Sequence, residues 1–125
     1  MRDFRGLDVW QPAHRITLSV YRLTLTFPHQ ETYGIVSQMR RCSFSVAANL
    51  AEGCGRSGNP EFGRFLSMAM GSASELEYFL LLAHDLKYLP VESYQSIFAE
   101  IGQLRRKLNC LIARVRATQE RTALK

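Results

Sequence analysis

Four polar residues of one predicted helix and a fifth just beyond its end are spaced so that they could share a surface. They are Arg41, Ser45, Asn49, Glu52 and Arg56. Steps of three and four residues place them on one helical face. Such a row could bind a ligand or act in catalysis, or it could be a buried hydrogen-bond network that fixes helix register. We favour the structural network, with Glu75 of the next helix as a partner for Arg41 or Asn49.

Other patterns that support catalysis or cofactor binding are missing from the sequence. The three histidines are not spaced as metal ligands with one another or with a cysteine, and neither H-E-x-x-H nor the E-x-x-H of di-iron bundles occurs. Ser43 and Ser45 lack a nearby histidine base, and Cys42 lies on an apolar stripe, where a thiol is inert. We therefore predict no catalytic residue, no metal site and no cofactor.

The glycine-rich segment from Gly53 to Gly58 could suggest a phosphate-binding loop. A P-loop requires G-x-x-x-x-G-K-[ST] after a strand, whereas this segment has a different spacing, no lysine and no preceding strand. We interpret it as an inter-helix turn in which Gly53 is the left-handed residue that ends a helix. The turn ends at a helix N-terminus near Arg56 and Arg64, where an anion could bind.

Positive charge is concentrated at the C-terminal end of the chain. The 125 residues carry a net charge of +5, yet residues 105–125 hold seven positive side chains against one negative. This asymmetry indicates an acidic partner such as nucleic acid, or a solvated helix end whose cations complement the helix dipole. Because the stretch has no aromatic residue for base stacking, we expect contacts with phosphates or duplex shape. The candidate nucleic-acid-binding residues are Arg105, Arg106, Lys107, Arg114 and Arg116.

Apolar periodicity predicts an all-α fold. Apolar residues step by three and four through residues 8–27, 30–52, 60–87 and 91–117, and prolines or glycines separate these segments. Helices of this length joined by short turns are expected to pack as an up-down-up-down antiparallel four-helix bundle.

Local signals predict the helix starts and the extent of the domain. Asp8 and Asn59 are the expected N-caps of the first and third helices. The chain is expected to be one domain over residues 1–125, with residues 1–6 and 118–125 poorly ordered. We expect a cytoplasmic protein with reduced thiols, because no transmembrane run, signal-peptide pattern or C-x-x-C pair occurs.

The helices carry more apolar residues than one core needs. The surplus residues are Trp10, Leu18, Tyr21, Leu25, Phe44, Phe65, Phe79 and Leu81. In a monomer they would leave a large exposed apolar patch, which normally marks an interface. Symmetric self-association is the simplest use of such a surface.

Five motifs together are similar to one protein family. They are Asp8-Val9-Trp10-Gln11-x-Ala13, Phe27-Pro28-x-x-Glu31-x-Tyr33-Gly34, Gln38-Met39-Arg40-Arg41, Ser45-Val46-x-x-Asn49-Leu50-Ala51-Glu52-Gly53-x-Gly55-Arg56 and Phe62-x-Arg64-Phe65-Leu66-x-x-Ala69-x-Gly71-Ser72-x-x-Glu75-Leu76-Glu77. From Leu7 to about Leu111, the chain resembles the four-helix-bundle proteins encoded in 23S rRNA intervening sequences. It departs from the family pattern at Cys42 and Phe44, where the family more often has Ala and a small or β-branched residue.

The resemblance implies an up-and-down bundle that forms a cyclic homo-oligomer, a pentamer, without an established enzymatic activity. The accessory variability determinant of diversity-generating retroelements is similar in fold, and it is a basic oligomer that binds RNA and a reverse transcriptase. By analogy, the basic residues of the fourth helix become the candidate RNA surface. We therefore predict a non-enzymatic oligomer that presents a basic surface to RNA or a nucleoprotein. The alternatives are a structural or protein-interaction oligomer without a nucleic-acid role, and an enzyme, which the missing ligand motifs disfavour.

Overall fold

The computed structural model describes residues 2–124, and this part of the chain folds into four α-helices without a strand. The helices are α1 (Trp10–Leu23), α2 (Ser37–Cys54), α3 (Asn59–Asp85) and α4 (Val91–Ala123). Both α2 and α4 pack against α1, and both also pack against α3. This neighbour order, with short connections, confirms the predicted up-down-up-down four-helix bundle. Among the described residues, no helix is long and apolar enough to cross a membrane.

The predicted apolar stripes form the core of the bundle. In α3, every stripe position from Phe62 to Ala83 is buried. The stripes of the other helices are buried too, apart from three partly exposed edge positions at Leu23, Tyr94 and Leu111. The core is therefore one continuous cluster along the bundle axis.

The surplus apolar residues divide into a buried and an exposed group. Phe65 was expected to lie outside the core, but it is only 4% exposed because it packs where α2 approaches α3 closely. Trp10 and Phe79 are partly buried against the core. The exposed members are Leu18, Tyr21, Leu25, Phe44 and Leu81. Most of the predicted surplus therefore remains at the surface of the protomer.

The first helix is shorter at both ends than the predicted range 8–27. No side chain caps its start, so Asp8 is not the N-cap that the sequence suggests. At the other end, α1 stops at Leu23 and tightens into a 3-10 turn, Thr24–Thr26. The Thr24 hydroxyl donates to a carbonyl of the preceding turn at 2.8 Å, which favours this tightening.

The first turns of the predicted second helix, residues 30–52, are not α-helical. A 3-10 turn, His29–Glu31, and a π-helical segment, Thr32–Val36, precede α2. Gly34 lies inside the π-helical segment with φ −104° and ψ −115°, outside helical geometry. The apolar pattern continues through this residue, so the sequence predicted a helix that is only destabilised at Gly34. In the structure the backbone leaves helical geometry there.

The turn between α2 and α3 uses a different glycine from the predicted one. Gly53 is helical and buried within α2, so it is not a left-handed residue at the helix end. A Cβ atom at Gly53 would lie 2.9 Å from Cβ of Phe65, which shows how closely α3 approaches here. The left-handed backbone occurs at Gly58, with φ +81°. Gly58 takes the N-cap position of α3, and Asn59 is therefore the first helical residue instead of the cap.

The fourth helix extends beyond its predicted end, whereas α3 matches its predicted range within two residues at each end. α4 runs to Ala123 and passes residue 117, where the sequence lacks apolar anchors. Its last turns line a groove with Asn59 and Pro60 at the start of α3. The additional turns therefore lie beside the start of α3, a proximity that no periodic signal could predict.

The ends of the chain were predicted to be poorly ordered over residues 1–6 and 118–125. Phe4–Gly6 forms a 3-10 turn, and residues 118–123 belong to α4. The mobility of these segments stays a prediction, as does the extent of the single domain. Met1 and Lys125 lie outside the described residues.

Candidate nucleic-acid interface

The five candidate cations of α4 lie on different sides of the helix. Arg105 contacts α3, and Arg116 follows it by three helical turns on the same side. Arg106, Lys107 and Arg114 instead line a groove on the side near the start of α1. The structure therefore separates the predicted set into two groups, and only the second group surrounds a concave surface.

Arg105 is engaged within the protein. Its Nη1 donates to Oε1 of Glu77 on α3 at 3.0 Å. The Arg105 and Glu77 side chains are 35% and 26% exposed, so the ion pair is partly shielded from solvent. A phosphate group would have to compete with Glu77 for this guanidinium. Arg105 is therefore primarily a link between α3 and α4.

Arg106, Lys107 and Arg114 line a groove of about 410 Å³ between α4 and residues 6–9. We call these three residues the groove cations and this cleft the N-terminal groove. The remaining lining includes three apolar side chains and one acidic residue, Asp8. Within residues 2–124, none of the groove cations has a carboxylate at ion-pair distance. Their charges are therefore available to an anion.

The N-terminal segment forms one wall of this groove because it is attached to the end of the bundle. The backbone N–H of Arg2 donates to the Cys54 carbonyl at 2.9 Å. The Phe4 ring packs edge-on against Trp10 with centroids 4.9 Å apart. Sequence reasoning missed this wall, although the spacing of Phe4, Leu7 and Trp10 by three residues was an available signal.

Charge changes along the boundary between α1 and α4. Lys107 also lines a smaller groove of about 110 Å³ with Arg15 and Glu100. Farther along the boundary, a third groove places Arg22 beside Glu92 and Glu100. With three basic residues against one acidic residue, Asp8, the N-terminal groove has a larger excess of positive charge than either of these two grooves.

The polar row makes one hydrogen bond to α3, and its last member, Arg56, lies in the turn after α2. Arg41 Nη2 donates to Oε2 of Glu75 at 2.8 Å. This hydrogen bond is the main reason that the pKa of Glu75 is lowered and the pKa of Arg41 is raised. Both side chains are 43% exposed, so solvent screens the pair and it is not the buried contact that we expected.

The rest of the row bonds locally. Asn49 Nδ2 donates to the Ser45 carbonyl at 2.8 Å, and Arg56 lies 3.6 Å from the Glu52 carboxylate one turn earlier. The expected contact between Arg41 and Glu75 is present, but hydrogen bonds between the described residues do not join it to the rest of the row. Because α2 and α3 are antiparallel, each step along α2 leads away from Glu75, and Asn49 lies about 12 Å beyond Arg41 along the axis at 1.5 Å per residue. The structural role of the local contacts stays a prediction.

The cations near the start of α3 are also engaged by the protein. The guanidinium groups of Arg56 and Arg64 lie over the Phe65 ring, 5.2 and 4.7 Å from its centroid. Arg64 also bonds Glu61 at 3.1 Å, and this hydrogen bond lowers the pKa of Glu61. The anion site considered for this turn is therefore less available than the N-terminal groove.

Potential metal ligands are dispersed. Among residues 2–124, no group of three or more His, Cys, Asp or Glu side chains is arranged to hold a metal ion. His14 stacks on Trp10 with ring centroids 5.0 Å apart, and His84 stacks on Tyr94 at 4.2 Å. Both imidazoles thus take part in aromatic packing.

Comparison with known proteins identifies the family. The family described as 23S rRNA-intervening sequence protein matches residues 5–110 of the chain. The fold is similar to the crystal structure of a protein with unknown function from the S23 ribosomal protein family of Bacteroides thetaiotaomicron VPI-5482, with a TM-score of 0.75 and 23% identity over 83% of this chain and 97% of that one. No curated protein matches the chain. Because the family match spans most of its length, the chain belongs to the 23S rRNA-intervening sequence protein family.

Proposed function

We propose that the protein is a non-enzymatic, cytoplasmic homo-oligomer that binds RNA or the RNA of a nucleoprotein through the groove cations of α4. The observation that carries the proposal is the clustering of Arg106, Lys107 and Arg114 around one groove, where they outnumber its one acidic residue, Asp8, and have no carboxylate at ion-pair distance in the described chain. Such unpaired cations attract a polyanion and release its counterions when they bind.

The contrast with other surface cations supports this assignment. Arg64 pairs with Glu61, and Arg105 pairs with Glu77. These pairs neutralise much of the positive charge elsewhere on the bundle. The segment 105–125, by contrast, carries seven positive side chains and one negative. The three groove cations outnumber Asp8 at the N-terminal groove, and this excess of positive charge attracts a phosphate backbone.

The expected mode of binding follows from the residue types around the groove. The aromatic residues of α4, Tyr94 and Phe98, lie in its first three turns and far from the groove cations. Affinity should therefore come mainly from phosphate contacts and should depend strongly on salt. Each phosphate contact contributes about 0.7–0.9 to the slope of log affinity against log salt concentration.

A binding role fits the candidate nucleophiles better than a catalytic role. Burial raises the pKa of the Cys42 thiol to about 12, so the thiolate form is scarce. Ser43 is also buried, and its hydroxyl donates to the Arg40 carbonyl at 2.8 Å. Neither side chain is positioned to attack a substrate.

Self-association is supported by two exposed apolar surfaces on opposite sides of the bundle. Leu18, Tyr21 and Phe44 form the α1–α2 face, with Leu25 in the turn that follows α1. Tyr78, Leu81 and Phe98 form the α3–α4 face. Because the two faces differ, contact between them is heterologous, and such contacts form a closed ring when the rotation between subunits closes. We propose a pentamer, the number that the family resemblance implies.

The same apolar faces favour a second candidate function, a structural or protein-interaction oligomer without RNA. Light scattering at micromolar concentration tests the assembly that both candidates share. Leu18→Glu and Phe44→Glu should convert the oligomer to smaller species, whereas Tyr33→Glu should not, since Tyr33 is exposed in the connection before α2. A monomeric native protein would overturn the ring.

RNA binding separates the two candidates. Fluorescence anisotropy with a structured RNA should detect binding at low salt. Replacing all three groove cations by Gln should reduce the salt slope by about 2–3. A control with the same net charge, Arg22→Gln, Arg56→Gln and Arg64→Gln, should keep the native slope. Undetectable binding at low salt would favour the oligomer without RNA, and equal losses in both triple variants would reject the groove cations as the binding site.

A further inference from the structure

The N-terminal groove is lined by side chains that a phosphate contact alone does not require. Only the groove cations are required to hold an anion. The cleft also has apolar walls made by Leu7, Val9 and Leu111, and the carboxylate of Asp8. Within residues 2–124, Asp8 has neither a hydrogen bond from a side chain nor an ion pair. The groove thus combines an apolar surface, a carboxylate without a partner and separate cations. A ligand that matches it has an apolar surface, hydrogen-bond donors and negative charges.

We propose that the N-terminal groove holds one unstacked guanine nucleotide, with its flanking phosphates on the groove cations and the Watson–Crick edge of its base on Asp8. The inference rests on the proposed function because it takes RNA as the source of this nucleotide. The groove volume of about 410 Å³ lies within the range of small-molecule sites, roughly 300–1,000 Å³. It is therefore large enough for a single residue of a chain and not for a duplex.

The spacing of the cations indicates a nucleotide inside a chain. Lys107 and Arg114 lie seven residues apart, about 10 Å along α4 at 1.5 Å per residue. The Arg106 side chain extends along α4 away from Arg114, because its Nη1 lies 3.5 Å from the position that a Cβ atom on Gly102 would take. The flexible side chains of Lys107 and Arg114 can therefore converge on two phosphates, one on either side of a nucleotide, whereas Arg106 can reach a phosphate farther along the chain.

The carboxylate selects among the bases. Guanine presents adjacent N1–H and N2–H donors, which can bond both oxygens of Asp8. Adenine and cytosine each place a ring acceptor beside the amino donor, and uracil places its one N–H between two carbonyls. With each of these three bases, a carboxylate oxygen would face a hydrogen-bond acceptor. Only guanine presents two donors to the carboxylate. A purely apolar tail would offer no hydrogen-bond donor to the exposed Asp8 carboxylate.

A cysteine in the groove can report whether a ligand occupies it. Cys110 lines it and is exposed, whereas Cys42 and Cys54 are completely buried. A ligand in the groove should therefore slow alkylation of Cys110 without affecting the other two thiols. This readout follows occupancy of the groove and does not require RNA binding to be measured.

The test uses the full-length protein with guanosine 3′,5′-bisphosphate and the corresponding adenosine, cytidine and uridine compounds. Mass spectrometry measures the alkylation rate of Cys110, and calorimetry measures affinity. The guanosine compound should protect Cys110 and bind at least about tenfold more tightly than the others. Asp8→Asn should abolish this preference, because the amide presents a donor to one of the two guanine donors. Arg114→Gln should weaken all four compounds, and Arg116→Gln on the other side of α4 should weaken none.

Three results would overturn the inference: no protection of Cys110 at millimolar guanosine bisphosphate, an unchanged base preference in Asp8→Asn, or equal protection by dodecyl phosphate, a simple amphipathic anion. The outcome is separable from that of the proposed function. RNA binding that depends on the groove cations, without protection by the bisphosphate, leaves the proposed function intact and rejects the nucleotide site. Protection of Cys110 by the bisphosphate without RNA binding supports the nucleotide site and rejects the proposed function.

Discussion

Gly53→Ala tests the closest approach between two helices of the bundle. The added methyl group would lie 2.9 Å from Cβ of Phe65 and 3.4 Å from Cδ1 of Phe62. Carbon atoms prefer separations of about 3.5–4.0 Å. Because Cβ atoms are fixed to the backbone, α2 and α3 can relieve the first contact only by moving apart. Overpacking of this kind typically costs about 1–3 kcal/mol.

The same substitution also has a favourable term. Alanine is preferred to glycine in a helix interior by about 0.8–1 kcal/mol. Subtracting this gain from the overpacking cost leaves a loss of about 1 kcal/mol in the free energy of unfolding, and at most about 2 kcal/mol. Gly71→Ala is the matched control. Gly71 lies in α3, and a Cβ atom added to it would have no neighbouring atom within 4 Å, so the variant should gain about 0.5–1 kcal/mol.

Urea unfolding followed by far-ultraviolet circular dichroism measures both variants. The protomer concentration must be equal in all samples, because assembly makes apparent stability depend on concentration. The midpoint should fall for Gly53→Ala and rise for Gly71→Ala. If Gly53→Ala unfolds at the same midpoint as Gly71→Ala or higher, α2 and α3 do not approach each other as closely as described, and the reasoning fails.

Three further predictions concern individual side chains. Thiol reagents should modify Cys110 but not Cys42 in the folded protein, because burial raises the pKa of the Cys42 thiol to about 12; intact-mass analysis showing rapid modification at Cys42 would contradict this. Glu75→Gln should cost less than about 1 kcal/mol at neutral pH, since the Arg41 pair is exposed to solvent. The pKa of Glu75 is lowered in the folded state, so this stabilisation is present above the unfolded pKa of about 4.3 and is lost as the pH falls through the folded value; unfolding midpoints that differ equally at neutral and strongly acidic pH would refute it. Asn49→Ala should lower the free energy of unfolding by about 1 kcal/mol, the contribution of one hydrogen bond, and an unchanged urea midpoint would show that this bond contributes nothing.

The core was predictable because burial along a helix depends on local spacing. The positions from Phe62 to Ala83 repeat at intervals of three and four residues, and any helix through them has one apolar side. The role of Gly53 was not predictable in the same way. Its place in the sequence indicates a helix end, but its conformation depends on the distance to Phe65, a residue of another helix.

The candidate site could be predicted only in part, because it depends on contacts between elements that are distant in the sequence. Spacing along α4 fixes the angle of each side chain about the helix axis, but not which element lies at that angle. Arg105 and Arg106 are neighbours in sequence, yet one meets Glu77 of α3 and the other lines a groove closed by residues 6–9. The charge excess therefore indicated α4 as the candidate helix, whereas the division of its cations required the positions of α3 and the N-terminal segment.

The location of the N-terminal groove links the two parts of the proposed function. The apolar faces lie on the α1–α2 and α3–α4 sides, and the groove lies where the segment before α1 meets α4. Assembly through the two faces would leave the groove open, and rotation about the ring axis would repeat it in every subunit. An RNA that reaches several grooves would then gain avidity of about 10²–10⁴ over a single site.

Disrupting the ring should therefore affect long and short ligands differently. Phe44→Glu should weaken binding of a long RNA by at least about tenfold, since multivalent attachment is lost. The same variant should bind guanosine 3′,5′-bisphosphate with unchanged affinity, because Phe44 is on α2 and does not line the groove. Anisotropy for the RNA and calorimetry for the bisphosphate measure the two effects. Equal losses for both ligands would mean that Phe44 supports the fold of the protomer instead of contact between subunits.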